Sequence, residues 1–120
     1  MKYNGVGVNE DERCIGRTRK PDISPETMAK LKAVFEGFPG LEEVVLYGSR
    51  AIGAATPRSD IDLATRGIED DHLLGRLALD LEDLDIPQKV DVQRYEGISY
   101  LPLKRHIAGL GISLYKRKSS

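Results

Sequence analysis

Glu43 to Tyr47, EVVLY, is a mostly apolar run with the length and β-branched content of a buried strand, and it stops abruptly at Gly48 and Ser49. A chain with such a run has to build a sheet around it. The stretch RAIGAATPRS, from Arg50 to Ser59, is short, rich in small residues and carries two turn formers; it leads into a second strand, DIDLAT, from Asp60 to Thr65. A third, KVDVQR from Lys89 to Arg94, sets Val90 and Val92 opposite Asp91, because side chains alternate along a strand. Ile112 to Tyr115 supplies the last.

Helical segments separate these runs. Ser24 can cap a helix, Pro25 suits its first position and Glu26 stands near the positive end of its dipole. Met28, Leu31, Val34, Phe35 and Phe38 then share one face until Gly37, Pro39 and Gly40 end it. From about Asp70 to Leu84, Leu73, Leu74, Leu77, Leu81 and Leu84 form an apolar stripe opposite Arg76, Asp80 and Asp83, the pattern of a helix laid on a sheet. Pro87 breaks the chain, and a final helix is expected around Leu101 to Ala108. The fold class is α+β. Residues 1–22 show no sustained period and read as an N-terminal extension, which leaves residues 23–120 as the domain.

Two aspartates on one strand, two positions apart, face the same side. At about 3.3 Å of rise per residue the Cα atoms of Asp60 and Asp62 are about 6.6 Å apart, close enough for both carboxylates to reach one ion. Asp91, on an adjacent strand, would stand beside them and crowd three negative charges into one patch. Such a cluster is unfavourable without cations, and hard oxygen ligands are what Mg²⁺ selects, with nucleotide phosphates completing its shell. Two metals held this way can serve phosphoryl transfer. A D-x-D on a strand also occurs on plain solvated sheet faces and in metal-binding glycosyltransferases. The Gly48–Ser49 pair separates these readings: a glycine at a strand end lets backbone amides approach an anion, and the serine hydroxyl adds a hydrogen bond.

Composition bounds the rest. The 120 residues suit a single domain, 40% of them hydrophobic and 31% charged, with no apolar run near the roughly 20 residues of a membrane span. With 18 basic against 19 acidic residues the net charge is −1, so no global field draws the chain to nucleic acid, and direct nucleic-acid binding is not expected. The N-terminus lacks the apolar core of a secretory signal and the single cysteine, Cys14, has no partner within the chain, so a reducing cytoplasm is expected. His72 and His106 have no metal-ligand spacing and read as structural or surface residues. Lys116, Arg117 and Lys118 read as a solvated tail. Tyr47, Tyr95, Tyr100 and Tyr115 form no base-stacking series.

The run LYGSRAIGAATPRSDIDLAT resembles the signature of the polymerase-β-type nucleotidyltransferase superfamily, and most closely its minimal nucleotidyltransferase branch, with GSRARG followed by a short loop and SDIDL. The resemblance covers about residues 24–118. It implies a mixed β-sheet with helices packed on it, two Mg²⁺ ions, and ATP or another NTP as substrate. On that reading Gly48 and Ser49 contact the triphosphate, Asp60 and Asp62 bind both metals, and Asp91 binds the catalytic metal and helps activate the incoming hydroxyl. Ile52 stands where the branch usually has arginine, leaving Arg50, with Arg58 nearby, as the cation for phosphate or for a partner. Minimal members imply a helical HEPN-type partner, a toxin silenced by AMP transfer to its tyrosine. Two rival readings are an antitoxin that acts by contact alone and a transferase acting on a small molecule or an RNA end.

Overall fold

A computed structural model describes residues 20–117 of the chain, so most of the N-terminal extension, Cys14 and Lys118 lie outside the described residues. The elements run α1 (Pro25–Glu36), β1 (Glu43–Tyr47), α2 (Ser49–Ile52), β2 (Ile61–Arg66), α3 (Asp71–Glu82), β3 (Val90–Arg94), a 3₁₀ turn (Tyr95–Gly97), α4 (Leu101–Leu110) and β4 (Ile112–Lys116). The helix ends follow their caps. Ser24 Oγ accepts the Thr27 amide at 3.2 Å, and Asp70 Oδ1 accepts that of Leu73 at 2.7 Å, each satisfying a donor that the first helical turn leaves without a partner.

The strands form one mixed sheet in the order β3-β2-β1-β4. β1 is antiparallel to both β2 and β4, while β2 and β3 are parallel, joined through α3 as a crossover. Its two faces carry separate apolar clusters. On one, Val44, Leu46, Ile61 and Leu63 meet Leu31 and Phe35 of α1 and Leu77 and Leu81 of α3. On the other, Tyr47 and Ala64 meet Ile98 and Ile107, with Leu103 of α4 packed alongside. β2 is therefore covered on both faces, and Ile61, Leu63, Ala64 and Thr65 are all buried.

Three expectations are modified. β2 starts at Ile61 rather than Asp60, because the Ile61 amide makes the bond to the Lys89 carbonyl at 2.8 Å that opens the pairing with β3. Leu73 leaves the apolar stripe of α3 and is 39% exposed. Arg117 is no solvated tail residue: its side chain donates to the carbonyls of Leu41 at 3.1 Å and Phe38 at 3.0 Å, pinning the end of β4 to the turn after α1. Among the described residues no helix is long and apolar enough to cross a membrane.

Candidate active site

Three chain segments meet at the end of the sheet where β1 leaves it. Asp62 lies directly across the parallel pair from Asp91, and across the antiparallel pair from Tyr47. Alternation sends Ile61, Leu63, Val90 and Val92 to the face under α1 and α3, so Asp62 and Asp91 point together to the other face, with Tyr47 and Gln93. Asp62 is half-buried and Asp91 exposed. The Asp62 carboxyl is pushed above the ordinary carboxylate range, first by burial, then by the negative charges of Asp91 and Asp60. Asp60 therefore belongs to the same electrostatic cluster, although it precedes the strand and stays exposed.

Among the described residues no three His, Cys, Asp or Glu side chains form a closed metal cage. Two carboxylates side by side with a third at the strand entrance nonetheless fit a Mg²⁺ that takes its remaining ligands from water and phosphate. A cation there would offset both the burial and the neighbouring negative charges that push the Asp62 carboxyl up.

Gly48 closes the site from the β1 side. Its backbone, at φ 78° and ψ −156°, lies in a region that L side chains avoid, and a methyl group there would stand 2.6 Å from Asp62 Oδ2. The bare backbone of the Gly48–Ser49 turn thus packs against the carboxylate itself. Ser49 follows, half-buried, as the first residue of α2, a four-residue helix that ends at Gly53 in the left-handed region. Tyr47 supports the floor: it shares an apolar cluster with the small Ala64, and its hydroxyl accepts from Gln93 Nε2 at 2.6 Å. Burial raises the Tyr47 phenol above its ordinary range, the Gln93 bond offsets part of this, and Asp62 and Asp91 raise it further, so the phenol stays protonated.

Arg50 is placed differently from the other expected residues. It is 5% exposed, and its guanidinium donates to the carbonyls of Ser59 at 3.0 Å, Asp22 at 2.7 Å, Thr56 at 3.2 Å and Pro57 at 3.3 Å. All three of its nitrogens are engaged by the chain's own backbone rather than turned toward a phosphate. Its effect is to gather the linker into a closed loop, within which the Ser59 and Thr56 backbones and side chains also bond each other. Because Ser59 immediately precedes Asp60, the fork of Arg50 sets where Asp60 begins. Arg58 and Ile52 are exposed on this rim, Ile52 by 46%.

The residue that sequence reasoning passed over is His106. On α4, its Nε2 accepts the Gly48 amide at 3.2 Å, and its ring meets Tyr47 edge-on with centroids 6.3 Å apart. Only its helical spacing from Leu103 and Ile107, which turns it toward the sheet, hinted at this. His72 is exposed in the first turn of α3.

A family model described as polymerase beta, nucleotidyltransferase matches residues 29–120. No curated protein matches the chain. Among solved structures, a toxin–antitoxin crystal structure with AMP-PNP is 23% identical with a TM-score of 0.63, covering 76% of this chain and 74% of the other. A second, the toxin–antitoxin MntA-HepT, is 21% identical with a TM-score of 0.59 over 78% of this chain and 74% of that one. At these identities the likeness is one of fold.

Proposed function

The chain belongs to the polymerase β nucleotidyltransferase family, and from that membership we propose that it transfers a nucleotide, AMP from ATP, to a hydroxyl acceptor in a Mg²⁺-dependent reaction. The observation that carries this reading is the in-register pair Asp62–Asp91, with the side-chain-free backbone of Gly48 packed directly against the Asp62 carboxylate. Asp60, Asp62 and Asp91 are the metal-holding residues. Divalent cations bound there supply charge neutralisation for the triphosphate and the departing pyrophosphate.

The chain's own residues do the remainder. Gly48 admits the triphosphate to within backbone distance, and Ser49 donates its hydroxyl to a phosphate oxygen. Asp91, the most open of the strand carboxylates, receives the proton of the attacking acceptor hydroxyl, while Asp62, held between β1 and β3, keeps the geometry fixed. Arg50 acts through the loop that precedes Asp60.

The acceptor is proposed to be a tyrosine of a HEPN-type toxin, with this chain as its antitoxin in the cytoplasm. Solved toxin–antitoxin structures of the same fold, one of them with AMP-PNP, support that assignment. The test is to co-express the chain with the product of its neighbouring gene, add ATP and Mg²⁺, and weigh the partner. A mass increase of one or more AMP units, absent with the Asp60→Asn, Asp62→Asn double variant, is the expected result. Equal suppression of toxicity by wild type and double variant, with no mass added, would show neutralisation by contact. AMP found instead on an RNA end or a small molecule would move the acceptor, not the chemistry.

A further inference from the structure

We propose that His106 is a positioning residue of the nucleotide site, whose imidazole, accepting the Gly48 amide at Nε2, holds the Gly48 backbone in the shape that admits the triphosphate. This rests on the nucleotidyl-transfer reading above. β1 ends at Tyr47, its last pairing with β2 is Tyr47 to Asp62, and its last with β4 is Leu46 to Ile112. The amide of Gly48 therefore lies beyond both neighbouring strands and would be a half-buried donor without a partner, which a fold avoids. His106 Nε2 meets it at 3.2 Å.

An imidazole can accept there only while Nε2 carries no hydrogen, so the ring proton belongs on Nδ1; a doubly protonated ring offers no acceptor at all. The ring is held by its own surroundings. Leu103 and Ile107, three positions before and one after on α4, pack onto the sheet cluster, and Tyr47 meets the imidazole at 81°. Fixing the Gly48 amide fixes the Tyr47–Gly48 peptide plane, from which the backbone turns into Ser49. It does so where the backbone is at φ 78° and the nearest atom to an added Cβ is Asp62 Oδ2. One side chain on α4 thereby connects the last helix to the phosphate turn, and through it to the carboxylates.

Two variants separate the acceptor from the packing. His106→Phe keeps a ring against Tyr47 but cannot accept, whereas His106→Gln carries a carbonyl oxygen at about the reach of Nε2. With the full chain, ¹⁵N NMR should show the wild-type imidazole as the Nδ1–H tautomer, with the Gly48 amide proton shifted upfield in His106→Phe and restored in His106→Gln. ATP with Mg²⁺ should bind His106→Phe about 3- to 10-fold more weakly, the size of one hydrogen bond, with KM rising and kcat nearly unchanged, and His106→Gln should recover most of it. A wild-type ring protonated on Nε2 would overturn the proposal. So would wild-type affinity in His106→Phe, or a His106→Gln variant that melts like wild type yet binds as weakly as the phenylalanine variant. If His106→Phe fails to fold, the wild-type tautomer and the glutamine variant still decide. A wild-type chain that binds no ATP with Mg²⁺ overturns nucleotidyl transfer itself and this role with it, whereas an Nε2-protonated ring in a chain that does bind ATP overturns the role alone.

Discussion

A methyl group on Gly48 would point at a carboxylate and force the backbone out of a glycine-only conformation at once. Gly48→Ala should therefore lower stability by about 1–3 kcal/mol, read as a lower urea midpoint, and should abolish transfer even in molecules that remain folded, because Asp62 must move. Asp62 carries a second consequence. Its folded carboxyl titrates above its unfolded one, so the folded state binds the extra proton, and stability falls as pH rises from the unfolded value through the folded one. At neutral pH without metal, the ionised Asp62 is thus a destabilising group. Asp62→Asn should raise the melting temperature in chelator at pH 7 by about 1–4 °C, a small gain because water screens a half-exposed group, and the gain should shrink as pH is lowered toward 4. The same variant should lose transfer by about 10³-fold or more. A lower melting temperature in chelator would contradict the electrostatic strain.

At the scale of elements, the strands and long helices were legible because their signals are local. Pro25 and Ser24 mark the start of α1, the valines around Asp91 mark β3, and the alternation around Asp62 marks β2. Placing the strand of Asp91 next to that of Asp60 and Asp62 puts it beside the aspartate pair, and the register sets it directly opposite Asp62. What stayed hidden depends on contacts between distant segments. The one-residue delay of β2 is set by the Lys89 carbonyl, and α2 inside the linker is too short to show a period. Ile52 in place of the usual arginine leaves Arg50 as a cation for phosphate or for a partner, and nothing local reveals that Ser59, Thr56, Pro57 and Asp22 all turn their carbonyls to it. Its role makes the linker a testable element. Lysine retains the charge but cannot fork to several carbonyls, so Arg50→Lys should cost about 2–3 kcal/mol and open the segment from Ala54 to Ser59 to limited proteolysis. Full stability in the lysine variant would contradict this bracing role and return Arg50 to the contact with phosphate or a partner expected from sequence.

For the molecule as a whole, the sheet order decides where chemistry can occur. With β1 and β2 in the middle, antiparallel to each other, the end of β1 and the start of β2 lie at the same edge of the sheet, and the parallel strand β3 brings Asp91 to that edge as well. The apolar clusters on both faces hold this arrangement without metal, while the carboxylates work against it locally. Nucleotide and metal should for that reason stabilise the fold jointly. ATP alone adds a triphosphate to a negative patch, and Mg²⁺ alone finds an incomplete shell; together each supplies what the other lacks. At about 100 times the dissociation constant the complex should gain about 2.7 kcal/mol, a rise of about 10 °C or more in a domain of this size. The expected pattern in a thermal melt is a small shift with Mg²⁺, none with ATP in excess chelator, and a large shift with both. Asp62→Asn should erase the joint shift while leaving the melt itself cooperative. A shift of equal size with ATP in chelator would mean that the nucleotide binds without the carboxylates, and the metal-bridged site would have to be given up.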